Sequence, residues 1–223
     1  MSPQKLHDFV HNIPFSEVTC TFWSKFLHYF FFIFDLNSNN HISNQSIQCP
    51  FDGSNRLNGI INYLTLNSGK DIHSIVTATN SGESQLAKYA LELNNDSIFQ
   101  SGLYSSYKQW LKYDFGKLQI RPTHYSIRTR TDKCDLANPQ HWCIEVSNDD
   151  QNWTIIDSRE NVTSLQKANQ LDTFEIKNEI PTKESYRYIR LRQTGKSTGN
   201  CEYLTLTAFE IFGDLIINES DQK

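Results

Sequence analysis

"HWCIEVSNDDQNWTIID", residues 141–157, alternates apolar and polar side chains on either side of a short polar segment. Trp142, Ile144 and Val146 fall on one face of an extended chain, and the residues between them fall on the other. This period of two is typical of a half-buried β-strand. Asn and Asp in the segment "NDDQN" favour a tight turn. The stretch therefore predicts a β-hairpin with one face in a core.

Similar short β-type runs follow one another from about residue 51 to residue 216. They are separated by Asn, Ser, Asp, Gly and Pro, a spacing typical of an all-β sandwich or barrel. Residues 57–69 are different and predict a short helix packed on the sandwich. The predicted strands are residues 73–79, 109–116, 123–130, 141–147, 153–157, 172–176, 186–193 and 202–213.

The part of the chain before the sandwich divides into an apolar and a polar segment. The polar run "NSNNHISNQSIQ" has no periodicity and is typical of a linker. The predicted organisation is a hydrophobic, partly helical N-terminal extension (1–36), a polar linker (37–50), a β-sandwich domain (51–216) and a polar tail (217–223).

Residues 18–34, "VTCTFWSKFLHYFFFIF", form the most apolar run of the extension. Lys25 and His28 interrupt it, and its apolar core is shorter than the ~20 residues that span a bilayer. A signal peptide is not expected, since the run starts far from the N-terminus and no small-x-small cleavage site follows it. A cytoplasmic location is therefore expected. A packing or interaction helix, a fragment of an upstream domain and membrane insertion all stay open, the last as the least favoured.

Charge and motifs exclude several function classes. A net charge of -4 at pH 7 supplies no basic field for phosphate backbones, so nucleic acid is not an expected partner. "TGKST", residues 194–198, lacks the earlier Gly of a phosphate-binding loop, because Arg190 occupies that position. The chain shows neither a G-x-S-x-G elbow nor His and Cys at zinc-ligand spacing. We therefore expect no catalytic residue, metal or cofactor, and the protein is not predicted to be an enzyme.

Four segments resemble, in order, the motifs of the discoidin domains, also called the coagulation factor V/VIII type C family. "SNDDQNW" resembles the family hairpin "S-x-D-G-x-x-W", and "HSIVTAT" resembles the opening "I-T-A-S" strand. "QWLKYDFG" is similar to "W-x-x-x-D-L-G", and "YRYIRLRQTG" with "LTLTAFEIFG" is similar to the closing "R-Y-I-R-L…E-x-x-G" pair. The resemblance covers about residues 51–216. It implies an all-β, galactose-binding-like jelly-roll β-sandwich behind the N-terminal extension.

Two positions depart from the family pattern. Asp150 stands where the hairpin usually has Gly, and Asp enters left-handed conformations more readily than most residues. Extracellular members often join their two ends by a disulfide, but no cysteine follows Cys201. The five cysteines are therefore predicted to be free thiols. They are Cys20, Cys49, Cys134, Cys143 and Cys201.

The connections between antiparallel strands indicate where a ligand would bind. Strand alternation places the turns "KLQIRP" and "NDDQN" at one end of the sandwich. Loops on a rigid β scaffold are where binding residues concentrate, and the resemblance implies that sugars, lipid head groups or proteins bind at end loops. The loops predicted to gather at the other end are residues 101–108, 131–140, 158–170 and 194–201.

Six residues of this end are candidate ligand-binding residues. Tyr104, Tyr107 and His141 are expected to stack on a sugar face. Lys133, Lys196 and Asn200 are expected to donate hydrogen bonds to hydroxyls.

Two further sets of residues, three tryptophans and four arginines, are expected to have structural roles and not to bind a ligand. The tryptophans predicted to be largely buried are Trp110, Trp142 and Trp153. The arginines expected on an outer sheet face, paired with Asp or Glu, are Arg128, Arg130, Arg190 and Arg192.

The sequence thus predicts a non-enzymatic binding module that recognises a glycan or a protein through loops at one end of a β-sandwich. The alternative is a targeting or adaptor domain of a larger carbohydrate-active or ubiquitin-ligase system, without a small ligand of its own.

Overall fold

Two antiparallel β-sheets pack face to face around an apolar core. The computed structural model describes residues 45–82, 85–102, 109–177 and 184–217, all within the unit formed by residues 43–223. The four-stranded sheet has the order β1-β11-β5-β8, and the five-stranded sheet has the order β2-β4-β9-β6-β7. A small third sheet pairs β10 with β3. The all-β sandwich predicted from the sequence is confirmed.

The bounds of the elements are as follows. The strands are β1 (Gln45–Cys49), β2 (Thr77–Asn80), β3 (Phe99–Gln100), β4 (Trp110–Asp114), β5 (Leu118–Arg128), β6 (Trp142–Ser147), β7 (Thr154–Arg159), β8 (Leu171–Glu175), β9 (Tyr188–Gln193), β10 (Thr205–Leu206) and β11 (Ala208–Ile217). The helix α1 is Ile60–Asn67, and the 3₁₀ turns are Ile72–Ser74, Gln85–Leu91 and Thr198–Asn200.

The core is formed by the alternating residues that the strand patterns predict. Trp142 is fully buried and packs edge-on against Phe174, with ring centroids 5.2 Å apart. The buried Tyr125 stacks on the same Phe174 at 5.4 Å. These contacts join β6 of one sheet to β5 and β8 of the other, so burial of large aromatic rings holds the two sheets together.

A buried polar network also joins the sheets. The Tyr125 hydroxyl donates to Asp157 Oδ2 at 2.6 Å and accepts a hydrogen bond from Trp142 Nε1 at 2.9 Å. Arg159 Nε donates to the same Asp157 oxygen at 2.7 Å. Because Asp157 is fully buried, its carboxylate is stabilised by these two donors rather than by water.

The hairpin predicted for residues 141–157 is present, and it pairs β6 with β7 around the predicted turn. Asp149 Oδ1 accepts the backbone N–H of Asn152 at 2.7 Å and of Gln151 at 2.9 Å. These bonds hold the pKa of Asp149 well below its usual range. Asp150 has φ 61°, the left-handed region, which explains why Gly commonly occupies this place in related hairpins.

The outer face of the five-stranded sheet carries cations and aromatic rings. Glu145 receives Arg190 Nε at 2.5 Å and Arg192 Nη2 at 2.8 Å. Although burial opposes ionisation, these hydrogen bonds lower the pKa of Glu145. The predicted pairing with a carboxylate on an outer face is confirmed for Arg190 and Arg192. It is wrong for Arg128, which donates to Thr207 Oγ1 and to the Asn95 carbonyl oxygen.

Two of the three tryptophans were wrongly predicted to be largely buried. Trp142 lies in the core, but Trp110 and Trp153 are half-buried on the outer face. The Arg190 guanidinium lies 3.9 Å from the Trp153 ring centroid, and Lys112 Nζ lies 5.5 Å from the Trp110 ring. Arg190 and Lys112 therefore cover the two rings through cation–π contacts, and neither ring packs in the core.

Helix α1 is held on the sandwich by Glu210 of β11. Oε1 of this buried carboxylate accepts the N–H of Ile61 at 2.8 Å, and Oε2 accepts the N–H of Asn62 at 3.0 Å. Gly59, the residue before the helix, has no room for a side chain, because a Cβ there would lie 2.1 Å from the Ile211 carbonyl oxygen. Burial raises the pKa of Glu210 to about 7 despite the hydrogen bonds that it accepts.

The sandwich begins earlier than the sequence predicted. Residues 45–49, assigned to the polar linker, form β1, which pairs antiparallel with β11. Its pattern is almost entirely exposed, and only Cys49 is buried. Residues 18–34 lie outside the described residues. No helix among the described residues is long and apolar enough to span a bilayer.

Candidate functional site

The sandwich has a turn end and a loop end. Gln119 Nε2 donates to Asn148 Oδ1 at 3.3 Å, which brings "KLQIRP" and "NDDQN" together at the turn end. Gln45 and Ile217 pair at this same end, since both are level with Leu118 at the start of β5. The connections that leave β5, β7 and β9 lie at the opposite, loop end. This placement follows the predicted strand alternation.

Two of the predicted loops are joined by hydrogen bonds. Thr198 Oγ1 donates to the Asp135 carbonyl oxygen at 2.6 Å, and the Ala137 N–H donates to the Thr198 carbonyl oxygen at 2.9 Å. The Thr198 N–H donates to the Asn138 carbonyl oxygen at 3.0 Å. Thr198 thus ties residues 131–140 to residues 194–201.

The third predicted loop, residues 158–170, joins the same cluster. The Ala168 N–H donates to Asp135 Oδ1 at 2.8 Å, and the Asn169 N–H donates to the Arg130 carbonyl oxygen at 2.7 Å. Ser101 lies at this end too, because its N–H donates to the Leu204 carbonyl oxygen at 3.0 Å. A group of loops joined by hydrogen bonds therefore closes one end of the sandwich.

Four of the six candidate ligand-binding residues are described, and all four lie on these loops or next to them. Lys133 and Asn200 are exposed and both have φ 63°, in the left-handed region. His141 and Lys196 are half-buried. Tyr104 and Tyr107 lie outside the described residues.

The ring of His141 is held by its neighbours. A Cβ on Gly195 would lie 2.9 Å from His141 Cγ, so the ring packs directly on the glycine backbone. The Asn161 N–H faces His141 Nδ1 at 3.4 Å, and the Thr194 N–H donates to the His141 carbonyl oxygen at 3.0 Å. When Nδ1 accepts a hydrogen bond, the neutral imidazole carries its proton on Nε2. His141 can then act as an Nε2–H donor toward a ligand.

Arg130 and Leu136 shape the loop that carries Lys133. The Arg130 guanidinium makes a bidentate pair with Asp132, with Nε–Oδ1 2.7 Å and Nη2–Oδ2 2.6 Å, and this pairing lowers the pKa of Asp132. Leu136 is 48% exposed at the tip of the loop. Leu136 could not be predicted as a surface feature from the sequence, since one leucine in a polar loop carries no periodic signal.

A cavity of ≈ 300 Å³ lies between α1, the turn Ile72–Ser74 and the segment after residue 90. Its apolar wall includes Leu91 and Leu93, and His73 Nε2 lies 3.0 Å from Glu92 Oε1 at its polar edge. Within the described ranges, no group of three His, Cys, Asp or Glu side chains could hold a metal ion.

An antiparallel sandwich with an ordered cluster of loops at one end is the architecture of jelly-roll binding modules. A sequence model of the F5/8 type C domain matches residues 74–206. The chain therefore belongs to the F5/8 type C, or discoidin, domain family, and the resemblance drawn from the four motifs is confirmed.

Solved structures support the galactose-binding-like fold. Two Clostridium perfringens domains of the CBM32 class, each 16% identical, align with a TM-score of 0.51 over 63% of this chain. One is CpGH89CBM32-5 in complex with GalNAc-β-1,3-galactose, 97% of which is covered, and the other is CBM32-3 of a family 31 glycoside hydrolase, 92% covered. An F5/8 type C domain from Bacteroides fragilis is 13% identical, with 63% of this chain and 93% of that domain covered and a TM-score of 0.50. At such identities these neighbours establish the fold alone.

A curated relative with higher identity is a much longer protein. The Drosophila melanogaster E3 ubiquitin-protein ligase Ufd4 is 29% identical over 148 residues, which cover 65% of this chain and 5% of that protein. The chain thus spans about one twentieth of the length of this relative.

Proposed function

We propose that residues 45–217 form a non-catalytic module that binds a glycan through the loop end. The observation that carries this proposal is the set of hydrogen bonds that Thr198 and Asp135 make between the loops. They fix the backbone beside Lys133, Lys196 and Asn200 before any ligand is present. Such preorganisation reduces the entropy lost on binding.

The donors at this end suit neutral hydroxyl groups. Lys133, Lys196 and the Nε2–H of His141 supply donors around loops that also expose the Leu136 side chain. Three or four hydrogen bonds of about 1 to 1.5 kcal/mol each sum to about 3 to 6 kcal/mol, which corresponds to a dissociation constant between about 6 mM and about 0.04 mM before any apolar contact is added. A module of this kind gains useful affinity by binding a multivalent glycan.

The structural neighbour in complex with GalNAc-β-1,3-galactose guides the choice of ligands to test first. The full chain, residues 1–223, is applied to a glycan array that includes galactose- and GalNAc-terminated oligosaccharides. Binding to a defined group of glycans supports the proposal. Wild-type protein that is folded by circular dichroism and binds none of them contradicts it.

The similarity to Ufd4 favours the adaptor function as a second candidate. In that case the loop end recognises a protein, and affinity purification from native cell extract recovers a ligase or another large enzyme with no glycan involved. Glycosidase treatment of the extract separates the two candidates. It abolishes recovery of a glycan-bearing partner and leaves recovery of an adaptor partner unchanged.

The site is mapped with matched lysine variants. Lys133→Ala with Lys196→Ala removes two donors at the loop end, and Lys177→Ala removes an exposed lysine beyond the last residue of β8. We expect the double variant to weaken glycan binding by at least about tenfold and Lys177→Ala to leave it unchanged. His141→Gln keeps a donor near Nε2 and should bind better than His141→Leu.

A further inference from the structure

Cys134 and Cys201 are half-exposed free thiols on the two loops that Thr198 joins. The two loops are in contact at Gly199 and Leu136. A Cβ on Gly199 would lie only 2.3 Å from Leu136 Cδ2, so the leucine side chain packs against the glycine backbone. Leu136 is two residues after Cys134, and Gly199 is two residues before Cys201. The two thiols therefore flank one contact between neighbouring loops.

One phenol interacts with both thiols. Burial raises the pKa of the Tyr203 hydroxyl, the nearby Cys201 and Cys134 thiols add to this rise, and Arg130 opposes it. Arg130 interacts electrostatically with Cys134 and with Tyr203. The thiolate is the nucleophilic form of cysteine.

The other described cysteines are protected. Cys49 and Cys143 are buried, and burial, helped by Glu210 and Glu145 respectively, raises the pKa of each thiol to about 11. At neutral pH this leaves roughly a hundredfold less thiolate than a pKa of about 9 would. These two thiols are internal controls for reactivity.

We propose that Cys134 and Cys201 are a redox-sensitive pair that glutathione disulfide converts into an intramolecular disulfide between the two loops of the candidate site. One thiolate attacks a sulfur of glutathione disulfide, forms a mixed disulfide and releases one glutathione thiolate. The second cysteine thiolate attacks the protein sulfur of that mixed disulfide and releases the second glutathione. Two cysteine thiols are oxidised, and one glutathione disulfide is reduced to two thiols.

The bond would change the candidate ligand site directly. Lys133 precedes Cys134 and Asn200 precedes Cys201, and both neighbours hold left-handed backbone angles. A disulfide fixes the two Cα atoms about 5.5 to 6 Å apart. Oxidation therefore fixes the spacing of the two backbone segments that carry both candidate donors. This effect on binding rests on the proposed function, whereas the formation of the bond does not.

The test is disulfide mapping of the full chain carrying Cys20→Ser. The protein is incubated with glutathione disulfide, blocked, digested without reduction and analysed by mass spectrometry. We expect one cross-linked peptide pair that contains Cys134 and Cys201, with the loss of two hydrogen atoms, and its disappearance on reduction with dithiothreitol. Cys134→Ser and Cys201→Ser should each give a glutathione adduct on the remaining thiol, and Cys143→Ser should keep the cross-link.

Separate glutathione adducts on Cys134 and Cys201 with no cross-link, or a cross-link to Cys49 or Cys143, would overturn the proposal. The effect of the disulfide on ligand binding is tested with a glycan identified on the array. Oxidation should change the dissociation constant of this glycan by at least about threefold. An unchanged constant in fully oxidised protein refutes the effect on the ligand site. Peptide mapping decides whether the disulfide forms even when no glycan binds.

Discussion

Replacing Tyr125 by Phe tests the buried network that joins the two sheets. The change removes the 2.6 Å hydrogen bond to Asp157 and the 2.9 Å bond from Trp142 Nε1. It also leaves the indole N–H buried without its partner, beside an Asp157 whose Oδ1 already has no hydrogen-bond partner among the described residues. A charge-assisted bond contributes about 1.5 to 3 kcal/mol and a buried orphan donor costs about 1 to 3 kcal/mol. The expected loss in free energy of unfolding is therefore about 3 to 5 kcal/mol.

Tyr113→Phe is the matched control. Tyr113 is also fully buried, but its hydroxyl makes one neutral hydrogen bond, 3.2 Å long, to the Phe209 carbonyl oxygen. We expect a loss of about 0.5 to 1.5 kcal/mol in this variant. Urea unfolding of the two variants beside the wild type gives both values, with unchanged m-values as the sign of two-state behaviour. Equal losses, or a loss below about 1 kcal/mol for Tyr125→Phe, would refute the role of the network.

The remaining predictions concern two rings, one carboxyl group and one glycine. Trp153→Ala should cost about 1 to 2 kcal/mol in urea melts because its ring is half-buried, whereas Trp142→Ala should cost at least about 3 kcal/mol, and similar losses would contradict the outer-face position of Trp153. Since the pKa of Glu210 is raised from 4.5 to about 7, its contribution to stability is fully present below pH 4.5 and is lost as the pH rises to 7. The loss in free energy of unfolding is about 3 kcal/mol. Glu210→Gln should remove this pH dependence from the urea melts. An unchanged slope of stability against pH would argue against Glu210 as its source. Gly59→Ala should lower stability by at least about 1 kcal/mol because its Cβ would meet the Ile211 carbonyl, and a neutral effect in thermal melts would contradict the close approach.

Local patterns were sufficient to predict most strands. The alternation in residues 142–146 predicted β6, and the polar turn after it predicted the hairpin. The period of two identifies two faces, but it does not identify the face that meets the core. Trp153 was therefore assigned to the interior, whereas Arg190 covers its ring on the outer face.

Contacts between distant parts of the chain were beyond the reach of these patterns. β1 is polar because an edge strand is held by backbone hydrogen bonds to β11, so residues 45–49 had the composition of a linker. Helix α1 lacks a side-chain cap from its own N-terminus, and Glu210, about 150 residues later, supplies the acceptors. No short-range signal could identify that pairing.

The candidate site was also predictable only in part, because its position depends on local patterns and its detailed geometry depends on contacts between distant residues. Strand alternation was enough to bring residues 131–140, 158–170 and 194–201 to one end. The bonds from Thr198 and Ala168 to Asp135, which fix the loops against one another, depend on conformations that turn composition does not determine. Whether Lys133, His141, Lys196 and Asn200 contact a ligand stays a prediction.

Chemical-shift mapping tests the location of the ligand site most directly. Isotope-labelled full chain is titrated with the glycan that binds best on the array, with GalNAc-β-1,3-galactose as the first probe. We expect the amide signals of Asn161, Ala168 and Thr194 to shift, while those of Gln151 at the turn end and Glu92 beside the 300 Å³ cavity stay unchanged. Saturable shifts confined to Gln151 or Glu92, with the loop-end amides unmoved, would contradict this expectation.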